Sequence, residues 1–154
     1  MSFVERSSLL SASASDVWAR VVTPEGINDE FKPWLTMSMP AGSSDLSIDT
    51  LELGKPIGRS WIRLFGVLPV DYDDLTIVEL ERGRRFLEWS RLFSAPLWQH
   101  ERTVEPVAAD TSRVTDRLTF TPRRGFGVLG PRIIRLIFWY RHRRLRRRFG
   151  AAAD

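Results

Sequence analysis

The stretch WQHERTVEPVAADTSRVTDRLTFTP, residues 98–122, predicts two long antiparallel strands joined by a short turn. Polar and apolar residues alternate along both halves, as in strands whose two faces meet different surroundings. The segment VAAD between the halves is a turn signal. A hairpin needs further strands or a helix against its apolar face to be stable, so the flanking sequence must supply them.

Three more strand-like runs precede this hairpin and extend it into an antiparallel meander. They are RSWIRLF, DDLTIVELE and RRFLEWSRLF, at residues 59–65, 73–81 and 84–93, separated by the turn signals GVLP and RG. In the last run both faces mix polar and apolar residues, so its inward residues stay unassigned. Four aromatic residues of the strands are expected in the core, because aromatic residues at period-two spacing more often pack there than bind cofactors. They are Trp61, Phe65, Trp89 and Trp98.

Before the meander the sequence predicts one strand and two short helices. FVERSSLL, residues 3–10, alternates weakly and is interpreted as the first strand. Ser13 or Ser15 is placed to cap the first helix, and Thr23 followed by Pro24 favours the start of the second. The stretch MPAGSSDLSIDTLELGKPIG, residues 39–58, is predicted to be a loose segment around one possible strand.

After the meander, a long helix is predicted from Pro131 to about Phe149, with Gly150 as its C-cap. At about 100° per residue, one stripe of this helix is mostly apolar and the opposite side is basic. The stripe comprises Ile134, Ile137, Phe138, Arg141, Leu145 and Arg148 or Phe149, and the opposite side comprises Arg143, Arg146 and Arg147. Most of the arginines therefore form the solvated back of the helix, and Arg141 stands among apolar positions.

The order of strand, two short helices, antiparallel meander and long helix is an α+β arrangement. With LWQHERTVEP, SRVTDRLTFTPR and FWYRHRRLRRRF, it resembles the START-like, or SRPBCC, helix-grip superfamily, in its polyketide cyclase/dehydrase and lipid-transport-like branch. The resemblance implies a curved antiparallel β-sheet wrapped around the C-terminal helix, with an apolar cavity between them. Residues 1–150 are expected to form a single START-like ligand-binding domain, and residues 151–154 a disordered tail.

The alternation of the two long strands places three ionisable side chains on the concave, otherwise apolar face of the sheet. They are His100, Arg102 and Asp116. A buried charge needs a partner, so Asp116 is expected to pair with Arg102 or His100. Two interpretations stay open: a structural salt bridge, or polar anchors for a ligand head group. For Arg141 three interpretations stay open: its side chain could extend to the rim of the cavity, pair with Asp116, or hold an anionic group.

The resemblance implies that the protein binds or transports a hydrophobic small molecule, such as a lipid, an isoprenoid or a polyketide, in an internal cavity. The predicted ligand-binding residues are Trp98, His100, Arg102, Asp116, Leu118, Phe120, Ile134, Phe138 and Arg141. The alternative is a polyketide aromatase/cyclase-like enzyme in which His100 or Asp116 moves protons, which makes these two the candidate catalytic residues. The sequence does not decide between binding and turnover.

Composition narrows the remaining classes. The chain has no cysteine and two histidines, and GFGVLG lacks a βαβ context, so neither a metal nor a cofactor is expected. Seven arginines lie within residues 133–154 while the whole chain has a formal net charge of +4, so the basic character is local and no nucleic-acid partner is expected. No export signal is recognised, which predicts a cytoplasmic protein.

Leu136, Trp139 and Tyr140 lie just before the arginines, and we expect them to be covered by the chain or to contact a homodimer partner or a membrane surface.

Overall fold

The computed structural model describes residues 1–40, 47–48 and 50–153. In chain order its elements are β1 (Ser2–Leu10), α1 (Ala14–Val21), α2 (Pro24–Phe31), β2 (Leu35–Met37), β3 (Gly58–Leu64), β4 (Leu68–Leu75), β5 (Ile77–Glu81), β6 (Arg85–Leu92), β7 (Leu97–Ala108), β8 (Thr111–Thr121) and α3 (Leu129–Phe149). Within the predicted loose segment 39–58, residues 41–46 and 49 lie outside the described residues, and the described ones contain no strand before β3 begins at Gly58.

The strands form an antiparallel sheet in the order β1-β8-β7-β6-β4-β3-β2, and β5 pairs with β6 beside this path. The first and last strands of the chain are neighbours, since β1 pairs with β8 along its whole length. The sheet is curved into a half-barrel that holds the long helix α3. The predicted α+β helix-grip fold, with two short helices after the first strand, is confirmed.

The helix boundaries follow from local chemistry. The Ser13 side chain accepts a hydrogen bond from Asp16 N, and the Thr23 side chain accepts one from Gly26 N, so both predicted caps are confirmed. The α3 helix begins at Leu129, two residues before the predicted start, and ends at Gly150, whose φ of 84° suits a residue without a side chain. A Cβ on Gly26 would lie 1.9 Å from the Arg20 carbonyl oxygen, so glycine allows α2 to fold closely back on the end of α1.

The run predicted as one strand over 73–81 is two strands. The turn after β3 is confined to residues 65–67, where Phe65 and Gly66 have positive φ, so β4 already begins at Leu68. The run is interrupted at Thr76, whose carbonyl oxygen accepts a hydrogen bond from Trp89 N at 2.9 Å. The strand β4 pairs with β3 and briefly with β6, whereas β5 pairs with β6 alone.

Three of the four aromatic residues expected in the core are at the surface. Trp61, Phe65 and Trp89 are exposed, and only Trp98 is buried. Trp61 and Trp89 lie on the outward side of their strands: in β6 the buried residues are Glu88, Ser90 and Leu92, so Trp89 points outward. Phe65 lies in the turn after β3. The expected burial was wrong because the alternation of a strand, and not the aromatic character of a residue, decides which side chains point into the core.

The interior between the sheet and α3 has three zones. Along α3, β7 and β8 alike, an apolar cluster comes first, then ionisable side chains, then a second apolar cluster. The first cluster contains Val4, Leu92, Ala95, Trp98, Leu118, Phe120 and Phe138. The second contains Leu10, Val17, Trp18, Val21, Val104, Val114 and Leu145. Charged groups therefore occupy the centre of the interior, with apolar packing on both sides.

The chain continues to pair with β1 beyond the last helix. Ser11 N donates to the Gly150 carbonyl oxygen at 2.9 Å, and Ala152 N donates to Leu9 O at 3.2 Å. Residues 151 and 152, for which the sequence predicts a disordered tail, are thus joined to the end of β1. No helix in the described part of the chain has both the length and the apolar character needed to cross a membrane.

Candidate functional site

The central zone, which we call the charged layer, consists of eight ionisable side chains buried between the sheet and the helices. They are Glu30, Asp73, Glu88, His100, Arg102, Asp116, Arg141 and His142. The alternation of β7 and β8 buries His100, Arg102 and Asp116 on one face, as predicted from the sequence. The last turn of α2 adds Glu30, α3 adds Arg141 and His142, and the inward face of β4 and β6 adds the remaining two.

Asp116 is the central acceptor of the charged layer. Its Oδ1 receives hydrogen bonds from Arg102 Nε and His100 Nε2, both at 2.7 Å. Its Oδ2 receives them from Arg102 Nη2 at 2.7 Å and His142 Nε2 at 2.8 Å. Burial alone would raise the pKa of Asp116, but the charge of Arg102 and these hydrogen bonds outweigh burial and hold that pKa well below its usual range. Asp116 is therefore a carboxylate with no acceptor position left for a ligand.

Arg102 bridges Asp116 to Glu30 on the opposite side. Its Nη1 donates to Glu30 Oε2 at 2.9 Å and its Nη2 donates to Glu30 Oε1 at 2.7 Å. Burial would raise the pKa of Glu30, but the charges of Arg102 and Arg141 lower it overall. The guanidinium thus makes forked contacts to two carboxylates, the geometry in which arginine binds carboxylates best.

Arg141 pairs with Glu30 and not with Asp116, the partner that the sequence suggested. Its Nε donates to Glu30 Oε1 at 3.0 Å. Its guanidinium carbon lies 4.6 Å from the ring centre of Phe31 and 4.8 Å from that of Phe138, so the cation is held between two aromatic rings. These contacts support the structural interpretation of Arg141.

His142 is held as a neutral ring by a directed chain of hydrogen bonds. Arg146 Nη1 donates to Ser8 Oγ at 2.8 Å, so the Ser8 hydroxyl hydrogen is free to point at His142 Nδ1, also 2.8 Å away. His142 Nδ1 is then an acceptor and Nε2 carries the proton donated to Asp116. Burial, the largest cause, lowers the pKa of His142. The direction of the hydrogen bonds and the lowered pKa both favour a neutral imidazole at His142.

The surroundings of His100 favour the charged form of its ring, in contrast to those of His142. Its Nε2 faces Asp116 and its Nδ1 lies 3.5 Å from Glu88 Oε2, so both nitrogens face carboxylates. Burial would lower the pKa of His100, but the hydrogen bonds and charges of Asp116 and Glu88 raise it overall. The ring lies edge-on to Phe86 and Phe138, with centres 5.5 and 5.3 Å away. His100 is therefore an imidazolium enclosed by aromatic rings.

Asp73 and Glu88 form a carboxyl pair at the edge of the charged layer. Burial, and then the charge of Glu88 and a hydrogen bond to it, raise the pKa of Asp73 well above its usual range. The pKa of Glu88 is lowered, since His100 outweighs the effect of burial. Asp73 Oδ1 and Glu88 Oε1 have no donor within the described part of the chain. A proton on Asp73, shared with Glu88, lets these adjacent carboxyls coexist in a dry interior.

The pKa of Asp73 is raised and that of His142 is lowered, which favours a protonated Asp73 and a neutral His142. In these states the layer contains three carboxylates, Glu30, Glu88 and Asp116, and three cations, His100, Arg102 and Arg141, so its charges balance. Their strongest hydrogen bonds are to one another. Of the two interpretations left open for Asp116 and Arg102, this geometry favours the structural salt bridge.

Sequence reasoning missed four members of the layer. Glu88 was not predicted because β6 carries large apolar residues on its outward side, which hide its alternation. Asp73 was not predicted because the run that it begins belongs to two strands, β4 and β5. Glu30 and His142 depend on how α2 and α3 dock, which no local pattern reveals. A signal existed for His142, because it lies four residues after Phe138 and beside Arg141 on the inner stripe.

Two cavities lined by described residues lie away from the charged layer. The first, which we call the aromatic groove, has a volume of about 490 Å³. It lies over the outward side of β6, β7 and β8, where Trp89, Leu97 and Met1 are exposed, and its lining also includes the predicted ligand residues Trp98 and Phe120. The second, the cationic cavity, has a volume of about 570 Å³ and lies between α1, α2, β2 and β3.

The other predicted ligand residues line neither cavity. Leu118 and Phe138 are buried in the first apolar cluster, and Ile134 packs against it. His100, Arg102, Asp116 and Arg141 are in the charged layer. Within the described residues, no group of three or more histidine, aspartate or glutamate side chains is arranged to hold a metal ion.

The three residues predicted to be covered or to contact a partner have different surroundings. Tyr140 Oη donates a hydrogen bond to the Lys32 carbonyl oxygen, so the end of α2 partly covers it. Leu136 and Trp139 are exposed, and the guanidinium of Arg143 lies over the Trp139 ring. A homodimer or membrane contact through Leu136 and Trp139 stays a prediction.

Comparison with known proteins identifies the family. Residues 8–149 match the family described as Domain of unknown function (DUF8410). This chain belongs to the DUF8410 family. No curated protein matches this DUF8410 chain.

Solved structures show that the DUF8410 fold is START-like. A protein from Chromobacterium violaceum superposes with a TM-score of 0.74 at 14% identity, covering 99% of this chain and 100% of the other. A START superfamily protein from Mycobacterium smegmatis gives 0.70 at 10% identity, with 96% of each chain covered. The di-domain ARO/CYC protein BexL gives 0.66 at 17% identity, with 96% of this chain and 46% of BexL covered, so this chain spans about half of BexL. The predicted START-like fold is confirmed.

Proposed function

We propose that this DUF8410 protein binds a hydrophobic small molecule in the aromatic groove. The observation that carries the proposal is the concentration of apolar side chains around this cavity on the outward side of the sheet. Trp89 is 55% exposed and Leu97 is 61% exposed, at positions where a solvated strand face normally carries polar residues. Both line the groove beside Trp98 and Phe120.

The size and chemistry of the groove support a small apolar ligand. Its volume of about 490 Å³ is within the range of small-molecule sites, which are mostly apolar with a few polar groups that orient the ligand. Asp74, Arg91 and Gln99 supply such groups on the lining. Covering Trp89 and Leu97 with a ligand removes large apolar surfaces from water, which contributes roughly 1–2 kcal/mol for each partly exposed side chain. A lipid, an isoprenoid or a polyketide has the required character.

This proposal moves the ligand from the interior to the groove. The sequence expectation placed it between the sheet and α3, where the charged layer occupies the centre and its members bond to one another. Trp98 and Phe120 also border the groove, but their side chains are buried in the first apolar cluster, so Trp89 and Leu97 are the apolar residues that carry the proposal. The polar anchors predicted at Arg102, Asp116 and Arg141 do not enter it.

The cyclase-like alternative receives no comparable support. It requires His100 or Asp116 to reach a substrate carbon, and a general base must lie within hydrogen-bond distance of the proton that it removes. Both side chains are buried and line neither of the two cavities. We therefore propose binding and assign no catalytic role to these residues.

Native mass spectrometry of the protein purified from its own host tests the proposal. The expected result is a retained hydrophobic molecule, and a fluorescent fatty acid should bind to the emptied protein. Replacing Trp89 with alanine should weaken binding of this probe about tenfold, because a stacked aromatic surface is lost. Trp139→Ala is the matched control, since Trp139 is also exposed but lies on α3 outside the groove.

Two results would contradict binding in the groove. One is a protein that retains no hydrophobic molecule and does not bind the fatty acid. The other is an equal loss of affinity in Trp89→Ala and Trp139→Ala, which would mean that the probe binds exposed tryptophan wherever it occurs.

A further inference from the structure

The cationic cavity has a lining unlike the rest of the protein surface. Three basic side chains line it: Arg20 from α1, Lys32 from the residue after α2, and Arg63 from β3. Its volume of about 570 Å³ accommodates a small charged group together with water. Neither the aromatic groove nor the charged layer shares a lining residue with it.

These three basic side chains have no acidic partner among the described residues. Some arginines elsewhere on the surface are paired, such as Arg59 with Asp74 and Arg117 with Glu5, whereas others, such as Arg147, have no acid within 4 Å in the described part of the chain. Arg20 is the least satisfied of the three cations, because its Nε is buried and donates to no acceptor in the described part of the chain. A buried donor without an acceptor is unfavourable, so Arg20 keeps an unsatisfied polar group at the cavity wall.

Two acids also line the cavity but do not neutralise it. Asp29 is engaged by Arg144, whose Nη2 lies 3.1 Å from Asp29 Oδ1 and whose Nε donates to the Asp29 carbonyl oxygen. Glu25 is exposed at the start of α2. Three cations therefore face one unpaired carboxylate, and the cavity keeps a net positive charge.

An exposed apolar tip adjoins the cavity. It consists of the turn between β3 and β4, the start of β4, and Trp34, and its exposed members are Trp34, Phe65, Val67, Leu68 and Val70. The tip is tied to the cavity wall, since Trp34 and Phe65 have ring centres 5.9 Å apart and the β-sheet partner of Arg63 is Thr36, another lining residue. Val67 is 76% exposed and Leu68 is 58% exposed. A positive cavity and an apolar projection thus lie side by side.

We propose that the cationic cavity and the apolar tip together dock the protein on an anionic phospholipid surface. The phosphate of a lipid headgroup enters the cavity beside Lys32 and Arg63, and the tip inserts at the boundary between headgroups and acyl chains. Basic side chains near an anionic leaflet and apolar side chains at its interface are the two features that hold peripheral proteins on membranes. The docking surface is independent of ligand binding in the aromatic groove.

The composition of the tip favours lipid over single-stranded nucleic acid as the occupant. Nucleic-acid sites stack bases on aromatic rings beside basic residues. Here the most exposed member, Val67, has no ring on which a base can stack, and the rings of Trp34 and Phe65 lie against each other with centres 5.9 Å apart. Aliphatic side chains gain from leaving water for an acyl boundary, which is the environment that a membrane provides.

Sedimentation with vesicles tests the docking surface. The intact protein should bind vesicles of phosphatidylcholine mixed with phosphatidylglycerol, and bind phosphatidylcholine alone much more weakly. Lys32→Gln and Arg63→Gln should each lower the partition coefficient about fivefold, since a basic residue near an anionic surface contributes about that factor. Arg147→Gln is the charge-matched control: Arg147 is exposed on α3 outside the cavity and should have a smaller effect.

The tip has its own pair of variants. Val67→Ser should weaken binding to the mixed vesicles severalfold, whereas Val107→Ser, an exposed valine on β7, should not. Equal losses in Lys32→Gln and Arg147→Gln would overturn the proposal, because binding would then be a property of net charge. Equal losses in Val67→Ser and Val107→Ser would also overturn it.

Inorganic phosphate and a single-stranded RNA oligonucleotide separate the other sources of phosphate. If phosphate raises the melting temperature of the intact protein but not of Lys32→Gln, and vesicles do not bind, the cavity takes a free anion and membrane docking is wrong. If the oligonucleotide binds and vesicles do not, the surface is a nucleic-acid site and the proposal is again overturned.

Discussion

Arg102 on β7 and Asp116 on β8 are register partners joined by two hydrogen bonds of 2.7 Å, and both side chains are almost wholly buried. The same guanidinium holds Glu30 of α2. One arginine thus ties the hairpin at the centre of the sheet to the helical layer. Such a pair does not guarantee extra stability over an apolar core, but it makes the removal of one partner costly.

Replacing Arg102 with leucine should therefore destabilise the protein strongly. Two carboxylates, Glu30 and Asp116, would stay buried without their main partner, and losses of about 3–5 kcal/mol are typical of such changes. The free energy of unfolding in urea measures the effect. Arg117→Leu is the control, because Arg117 bridges Glu5 and Glu101 at the surface and should cost less than about 1 kcal/mol. Similar losses in both variants would contradict the central role of Arg102.

Asp73→Asn should stabilise the protein at neutral pH. The pKa of Asp73 is raised well above its ordinary value of 3.8 by burial and by Glu88. A group whose pKa is raised on folding stabilises the folded protein fully at a pH below its ordinary pKa. This stabilisation is lost as the pH rises through the raised pKa. Asparagine keeps a donor toward Glu88 at every pH, so the variant should gain on the order of 1–3 kcal/mol near neutrality and little in acid.

Urea unfolding of Asp73→Asn and of the unchanged protein, from acid to neutral pH, measures the difference in their free energies of unfolding. Asp74→Asn is the control on the next residue and should not stabilise the protein. Arg59 lowers the pKa of Asp74, and this variant loses that surface pair. A stability difference for Asp73→Asn that does not grow with pH would show that Asp73 is ionised in the folded protein.

How far the sequence predicts the layer depends on how local the cause is. The inward positions of His100, Arg102 and Asp116 follow from alternation along two strands, which a single chain segment encodes completely. Glu30 was not predicted, because its burial results from the packing of α2 against α3, more than a hundred residues away. Long-range docking decides which charged side chain is buried, and the local pattern of a short helix carries no trace of it.

The same contrast applies to the fold and to the cavities. Helix caps at Ser13, Thr23 and Gly150 were predicted because each depends on a few adjacent residues. The interruption at Thr76 was not, because it results from the way β6 meets β4 and β5 in the sheet. The aromatic groove was missed for the same reason, as Trp89 and Leu97 come together only when β6 and β7 pair.

The two histidines should titrate in opposite directions from the ordinary pKa of 6.5. The pKa of His100 is raised, so its contribution to stability is complete below 6.5 and is lost as the pH rises through the raised value. The pKa of His142 is lowered, so its contribution is present above 6.5 and is lost as the pH falls through the lowered value. At pH 6.5, His100 should be charged and His142 neutral with the proton on Nε2.

Long-range proton–nitrogen correlation spectra of the imidazole rings distinguish these states directly. Ser8→Ala supplies a matched perturbation, because it removes the donor to His142 Nδ1 and leaves the contacts of His100 intact. The signals of His142 should change in this variant and those of His100 should not. Two histidines that titrate together near the ordinary pKa would contradict the assignment of one charged and one neutral ring.

Arg141→Lys should cost about 1–2 kcal/mol even though the positive charge is kept. The planar guanidinium of Arg141 lies between the rings of Phe31 and Phe138 while its Nε donates to Glu30, and an ammonium group cannot make the stacked contacts and the directed hydrogen bond together. Arg143→Lys is the control on the same helix, because Arg143 covers the exposed ring of Trp139 and its replacement should change the unfolding free energy by less than about 0.5 kcal/mol. Equal effects of the two substitutions would mean that α3 needs only a cation at residue 141. A larger loss at residue 141 would show that the shape of the guanidinium, fitted between α2 and α3, holds the helical layer against the charged centre of the sheet.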